Sequence, residues 1–296
     1  MGTNRMQQST VLVTGATGKL GSAVCAQLVE RGYRVRATDQ RHEPGFPAEL
    51  VLGDLRDEFF AHRVVEGVDS LVHLGNHPNQ FAVPTAARLL GENVTMNANV
   101  FQAALAHGVQ RIVFASSVQV MIRRERQLEL PPHRLPYMPL DGDAPANPGS
   151  NPYALSKEFA ERMLQLMAAD HPKLSITSLR YPMLVTPAMA TRFQASRRVP
   201  LSNLDFVEGT AHLFVDEAAS LVHAVLSAAR LGYHQYFPAQ TMELRGYPLP
   251  EMLRDRFPGV SLKRPLQEGD ALIDCSALER DVGWSPRKRL SFEIER

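Results

Sequence analysis

The sequence predicts an α/β fold, a doubly wound parallel sheet followed by a small C-terminal lobe. Three observations carry this reading. Short β-rich runs alternate with helical stretches through the first two-thirds of the chain, the pattern of a parallel sheet covered on both faces. A glycine-punctuated turn, "VTGATGKLG" over 13–21, follows the first apolar run. The 296 residues, 44% of them hydrophobic, can bury one large core or two modest ones.

The candidate strands are "TVLVTG" near 10–15, "YRVRATD" near 33–39, "AELVLGD" near 48–54, "DSLVHLG" near 69–75, "QRIVFASS" near 110–117 and "LSITSLRY" near 174–181. Between the first two, "GSAVCAQLVERG" sets Val24, Leu28 and Val29 on one helical face and stops at Gly32, suited to a left-handed cap. "DEFFAHRVVEG" and "ENVTMNANVFQAALAHG" close in the same way at Gly67 and Gly108. The proline-rich stretch 123–152 reads as a long ordered loop, and its "RRER" as a solvated face. A nucleotide-binding unit is expected over 9–181, with 212–237 returning to it. The segments 182–211 and 238–296 are expected to form a smaller substrate-binding lobe.

Lys and Arg total 32 against 31 acidic residues, so no electrostatic ground favours nucleic acid or an anionic membrane as partner. Cys25 and Cys275 stand alone and far apart, which fits neither a disulfide framework nor paired zinc ligands. A reducing cytoplasm is the expected location, and no metal is expected. The opening "MGTNRMQQST" has no apolar signal-peptide stretch, and no segment approaches the length of apolar residues that spans a membrane.

Gly15, Gly18 and Gly21 fall between a strand and a helix, where a dinucleotide pyrophosphate needs a tight turn, close backbone approach and close helix packing. An acidic residue at the end of the next strand is the test of that reading. Asp39 supplies it, so a Rossmann-type site is expected with NAD rather than NADP as cofactor. Arg36 and Arg41 lie nearby and weigh against that preference without reversing it. Asp54 is either an adenine neighbour or an ordinary turn or cap residue.

In "NPYALSK", Tyr153 and Lys157 stand at i and i+4 on one helix face. An ammonium beside a phenol stabilises the phenolate and lowers its pKa from about 10. Ser117 ends the fifth strand at the carboxyl edge of the sheet, where doubly wound folds place ligands. A hydroxyl, a phenol and an ammonium meeting at a nicotinamide make a hydride-transfer site.

These stretches together resemble the extended short-chain dehydrogenases/reductases, the NAD-dependent epimerase/dehydratase family. The resemblance runs through "TGATGKLG", "GDL" at 53–55, "VHLG" at 72–75, "NVTMNANVFQAA" from 93, "RIVFASS", "NPYALSK", "LRYP" at 179–182, "FVDEAA" at 214–219 and "LERDVGWSP" at 278–286. It implies Tyr153 as acid/base, Lys157 as the group that tunes it and holds the nicotinamide ribose, and Ser117 as the anchor of the substrate oxygen. It implies a cofactor surface of Gly15, Thr17, Gly18, Lys19, Leu20, Gly21, Asp39, Asp54, Leu55, Leu74, Gly75, Asn93, Ser116, Tyr153, Lys157 and Tyr181. The implied substrate contacts are Asn76, His77, Ser117, Val118, Met183 and Arg192. A homodimer through helices near 92–107 and 153–169 is also implied.

Departures from the family pattern narrow the expectation. Val118 and Gln119 replace the Asp-Glu pair of dehydratases, Met121-Ile122 a Tyr-Gly, and Met183 an Asn that contacts nucleotide sugars. The segment 187–212 looks short for a nucleoside diphosphate clamp. The chain is also similar to the uronate dehydrogenases, in which an arginine at the offset of Arg192 binds the sugar-acid carboxylate; a surface cation is the other reading of Arg192. His73 and His77 are either pocket residues or satisfied polar groups. The expected function is oxidation of a secondary alcohol of a small sugar-like molecule with NAD. A nucleotide-sugar epimerase and a non-catalytic cofactor sensor are the alternatives.

Overall fold

The computed structural model describes residues 9–79, 81–122, 135–195, 198–200, 210–265 and 272–295. The run at 123–126 lies outside them. Six parallel strands form where the sequence places them: β1 (Thr10–Thr14), β2 (Arg34–Asp39), β3 (Glu49–Leu52), β4 (Ser70–His73), β5 (Arg111–Ser117) and β6 (Ser175–Tyr181). They alternate with α1 (Lys19–Glu30), α2 (Glu58–Val65), α3 (Ala86–Ala106) and α4 (Pro152–Asp170). Next come β7 (Met183–Val185), α5 (Pro187–Ala195), β8 (Arg198–Pro200), β9 (Ala211–Phe214) and α6 (Val215–Ala228). A seventh strand, β10 (Gly232–Tyr236), returns to the sheet edge beside β6, giving the order β10-β6-β5-β4-β1-β2-β3 with every neighbour parallel. Its sequence, "GYHQY", is mostly half-buried, so an apolar run does not announce it.

Every residue of β1, β4 and β6 is buried, as expected for strands covered on both faces. Successive side chains point to opposite faces. Val11 and Val13 enter a core with Val24, Cys25 and Leu28 of α1 and Leu221 and Val222 of α6, while Leu12 enters a second core with α2, α3 and α4. Val29, expected on the buried face of α1, is 37% exposed; the buried stripe runs through Val24, Cys25 and Leu28 instead. The glycine stops hold, with φ of +84° at Gly32, +71° at Gly67 and +72° at Gly108. Helix α3 begins earlier than its apolar periodicity suggests, because Thr85 caps it by accepting from the Arg88 amide at 3.2 Å.

The remaining elements are β11 (Gln240–Thr241), β12 (Glu243–Arg245), α7 (Leu249–Arg256), α8 (Ser276–Val282) and β13 (Ser291–Glu295). Two three-stranded sheets, β11-β9-β7 and β12-β13-β8, stand beside the large one. A third core joins Phe237, Leu244, Met252 and Phe257 to Met121, Ile122, Met138 and Leu140. The bulky Met121-Ile122 pair is therefore packing for this core, at 0% and 4% exposure, rather than a lining that faces ligand. Trp284, by contrast, packs on the first core and donates from Nε1 to Ser220 Oγ of α6 at 2.9 Å. Among the described residues, no helix is long and apolar enough to cross a membrane.

A buried ion pair ties these layers together. Arg180 of β6 donates from Nε and Nη2 to the two oxygens of Glu161 on α4 at 2.9 and 2.7 Å. Ser116 of β5 donates to the same carboxylate at 2.6 Å, and Arg180 Nη1 donates to the carbonyls of Gly142 and Ala144 at 3.1 and 2.6 Å. Both ions are only 3% exposed, so removing one leaves the other charged and unpaired in a dry setting. Arg180→Met is expected to lower unfolding free energy by about 3–5 kcal/mol, measured by denaturant titration; a loss under 1 kcal/mol would contradict this account.

Candidate active site

The order of the large sheet reverses between β1 and β4, and the crevice beyond the strand ends at such a reversal is where doubly wound folds bind ligands. A cleft of about 1350 Å³ opens there. Its walls include the loop after β1, the loop after β4, the ends of β5 and β6, and the start of α4.

The three glycines have separate steric reasons. Gly15 sits at φ +64°, and a Cβ on it would stand 2.9 Å from the Gly75 backbone. A Cβ on Gly21 would stand 2.2 Å from the Gly15 carbonyl oxygen, and one on Gly18 3.1 Å from that oxygen. The first turn of α1 therefore lies directly against the loop, with its amide ends free to face an anion. Asp39 ends β2 and braces this loop by accepting from the Thr17 amide at 3.0 Å and from the Gln40 amide at 2.7 Å. Asp39, Gly18, Lys19 and Leu20 all border the cleft. A cradle that side chains would fill, next to a carboxylate at the end of β2, fits a dinucleotide with an unphosphorylated ribose.

The two arginines near Asp39 part company. Arg36 donates from Nη1 to the carbonyls of Val64 and Glu66 at 3.0 and 2.6 Å, and so caps the end of α2 away from the cleft. Arg41 borders the cleft and donates from Nη2 to the Thr17 carbonyl and hydroxyl, each at 3.1 Å.

Of the expected cofactor residues, Leu55, Leu74, Gly75, Ser116, Tyr153, Lys157 and Tyr181 line the cleft with the loop residues. Thr17 acts from behind through Asp39 and Arg41. Asp54 is turned away: it accepts from the Arg56 amide at 2.9 Å and is gripped by the Arg56 guanidinium at 2.9–3.0 Å, which holds its carboxyl below the usual range. It is the turn residue of the two readings, and Gly53 and Leu55 form the wall in its place. Asn93 is fully buried. Its amide accepts from the His77 N–H at 2.8 Å and donates to Ser156 Oγ at 3.1 Å, so it pins the loop after β4 to α4 without facing the cleft.

Helix α4 starts at Asn151, whose side chain accepts from the amides of Tyr153 and Ala154 at 3.0 and 3.4 Å, with Pro152 as its first residue. This start places Tyr153 and Lys157 on the cleft wall, the Lys157 Nζ 5.8 Å from the Tyr153 ring centre. Lys157 is 3% exposed, and burial pushes its pKa down to about 7, with the Glu161 carboxylate opposing the shift. Ser117, 6% exposed at the end of β5, faces the same cleft and accepts from the Gln119 amide at 3.2 Å.

All six expected substrate residues, Asn76 and Ser117 among them, border the cleft. Val118, Met183 and Arg192 line the cleft. His77 lines it as well, with its Nε2 2.6 Å from Glu92 Oε2. Glu92 also takes Arg56 and Arg88; the Arg88 hydrogen bond, with that of His77 and the charge of Arg56, holds its carboxyl down to about 2. Asn76 is bonded to Lys157 Nζ at 2.8 Å. Cleft-lining residues that the sequence did not point to include Arg198, Phe193, Met242 and Phe292. Only the Arg88–Glu92 spacing of four carried a sequence signal. Among the described residues, no group of three or more His, Cys, Asp or Glu could hold a metal ion.

A seven-stranded parallel sheet with this loop and carboxylate defines a dinucleotide-binding protein of the Rossmann type. Residues 11–235 match the model of the NAD dependent epimerase/dehydratase family, and the chain belongs to that family, whose cofactor is NAD. It is 32% identical over 174 residues to the 2-alkyl-3-oxoalkanoate reductase of Stenotrophomonas maltophilia, covering 57% of this chain and 49% of that one. It is 35% identical over 156 residues to the uronate dehydrogenase of Pseudomonas putida, covering 51% and 52%. These matches span about half the length of the curated relatives. The fold resembles that of UDP-glucose 4-epimerase from Bifidobacterium longum in complex with NAD+ and UDP, with a TM-score of 0.68 at 22% identity over 95% of this chain and 94% of that one.

The depressed Lys157 pKa has a thermodynamic consequence. Between about pH 7 and the unfolded value near 10.5, the unfolded chain keeps a proton that the folded one has released, so stability rises with pH through that window. Relative to Lys157→Met, which lacks this group, the native chain is expected to gain stability as pH rises from 7 to 10. Melting curves of both across that range check it, and a constant difference would refute the shift.

Proposed function

We propose that the chain is an oxidoreductase that uses NAD to oxidise a secondary alcohol, or to reduce the matching ketone, on a sugar or sugar-acid-like substrate. The observation that carries this reading is Lys157, buried on the cleft wall one helical turn from Tyr153, in the crevice bordered by the glycine loop. Gly15, Gly18, Gly21 and Asp39 would hold the nucleotide, and bound NAD supplies the hydride acceptor. Ser117 would donate to the substrate oxygen and fix its position. The Lys157 ammonium would stabilise the Tyr153 phenolate, which takes the alcohol proton and becomes the neutral phenol as the hydride leaves the carbinol carbon. Arg192 and Arg198, both on the substrate side, support an acidic group on the substrate, because guanidinium pairs well with carboxylate. With Val118 and Gln119 after Ser117, the acid/base pair that would eliminate water is missing from those positions.

A second substrate reading has its own support. Met183, Phe193, Met242 and Phe292 give the substrate side an apolar lining, which suits a hydroxy or oxo acid bearing an alkyl chain. We further propose that 9–181 with 212–237 binds the nucleotide while 182–211 and 238–296 shape the substrate side. A homodimer through α3 and α4 is supported by Phe159 and Leu166, 44% and 49% exposed on α4; Phe159→Glu is expected to halve the mass seen by sedimentation, and an unchanged mass would count against that interface.

The enzymatic reading is tested by screening free aldoses, uronates, alkyl hydroxy acids and UDP-sugars with NAD and NADP for reduced-nicotinamide absorbance. Turnover of an acidic substrate with NAD is expected. Tyr153→Phe should lower kcat by roughly 10²–10⁴ while leaving NAD affinity within about threefold. Interconversion of UDP-sugars without net NADH would establish an epimerase, and NAD binding with no turnover of any substrate, together with a physiological role unchanged in Tyr153→Phe, would leave a cofactor sensor.

A further inference from the structure

Lys157 Nζ has two hydrogen-bond acceptors: the Ala115 carbonyl at 2.7 Å and Asn76 Oδ1 at 2.8 Å. The carbonyl is set by β5. Asn76 is a side chain, and a buried series of hydrogen bonds holds it in turn. Its Nδ2 donates to the Gly75 carbonyl at 3.1 Å and to Asn97 Oδ1 of α3 at 2.9 Å. The same Asn97 oxygen lies 2.9 Å from His73 Nε2, and His73 Nδ1 lies 2.7 Å from Thr14 Oγ1. Thr14 Oγ1 accepts from the amides of Leu74 and Gly75 at 3.1 and 3.0 Å.

Each direction along this series follows from the last. The Asn97 oxygen can only accept, so His73 carries its proton on Nε2. His73 Nδ1 then accepts from the Thr14 hydroxyl, whose lone pairs serve the two amides. A single ring proton requires a neutral imidazole, and burial, aided by the Lys157 charge, pushes the His73 pKa down to about 3. Asn97 Nδ2 is buried with no partner among the described residues. Turning that amide over would set its NH₂ against two donors, so its orientation is determined by the series although one end of it stays unsatisfied.

We propose that Asn76 is a positioning residue for the Lys157–Tyr153 pair: its amide oxygen holds Nζ at the cleft wall and favours its ammonium form, and Asn97, His73 and Thr14 fix that oxygen relative to the glycine loop. This rests on the reading of Tyr153 and Lys157 given above. A carbonyl oxygen accepting from Nζ favours the charged amine over the neutral one, and a charged amine is what makes the phenol acidic. The charged or titratable groups facing Lys157 are His73 from β4, Tyr153 and Glu161 from α4, and Arg180 of β6 through Glu161. Glu161 is already gripped by Arg180 and Ser116 and acts on the amine only through its charge, and His73 is neutral, so among the described residues the Asn76 oxygen is the side-chain hydrogen-bond acceptor of the amine.

The test is Asn76→Leu, which keeps the branched outline and removes the oxygen, with the smaller Asn76→Ser as the second variant should the first fail to fold. Tyr153 is followed by the near-ultraviolet phenolate absorbance of each NAD-loaded protein minus that of its Tyr153→Phe counterpart. With either variant, the phenolate transition and the rising limb of the kcat–pH profile for alcohol oxidation are expected to move up together by about one pH unit, lowering kcat near neutral pH about tenfold. KM for NAD should stay within about threefold. An unmoved phenolate transition in a folded variant, with or without lower thermal stability, would overturn the proposal. Full turnover in Tyr153→Phe would instead overturn the acid/base role of Tyr153 on which this inference rests, an outcome distinguishable because the spectroscopic titration needs no turnover.

Discussion

A primary amine at 3% exposure is the constraint on which the candidate site depends. Water is lost from Lys157, and the fold replaces it with the Ala115 carbonyl, the Asn76 amide and the face of Phe114, whose ring centre lies 4.7 Å from Nζ. These partners come from β5 and from the loop after β4, while the lysine itself comes from α4. The amine is therefore at home only when three separate segments are in register. Its low pKa records how incomplete that replacement is, and it leaves the group within reach of either protonation state near neutral pH.

The sheet brings those segments together. Because β1 and β4 are neighbours with connections leaving in opposite directions, the loops beyond them part and leave a crevice at the carboxyl ends of the strands. Gly15 and Gly75 close its floor by approaching more nearly than side chains permit. The Glu161–Arg180 pair and the Ser116 hydroxyl then lock α4 to β5 and β6 from beneath. The same helix presents Tyr153 and Lys157 above, so the mechanical anchor and the candidate catalytic pair share one rigid element.

The third core explains what happens at the other wall. Met121 and Ile122, where the family carries Tyr-Gly, are swallowed by packing with Phe237, Leu244 and Phe257. The chain beyond β5 is thus held by apolar contacts, and this wall of the cleft takes its lining from residues distant in sequence, Arg198, Met242 and Phe292 among them. No local spacing relates these positions, which is why they could not be named beforehand as Arg192, Met183 and Val118 were. Asp54 and Asn93 show the converse: each sits in a stretch that matches the family, yet Arg56 and His77 draw their side chains away from the cleft.

The sequence by itself determined the class of fold, the strand-to-helix glycine turn, the carboxylate of Asp39 and the helical pairing of Tyr153 with Lys157. All of these are short-range matters of periodicity, φ preference and i to i+4 spacing, which a chain carries in its local order. Tertiary structure alone decided that β10 completes the sheet, that Arg36 caps α2 while Arg41 stays at the loop, and that Asn76 serves the lysine. Those outcomes depend on which groups lose water together. Burial presses polar atoms to find partners across the fold, and that choice exists only once the segments are packed.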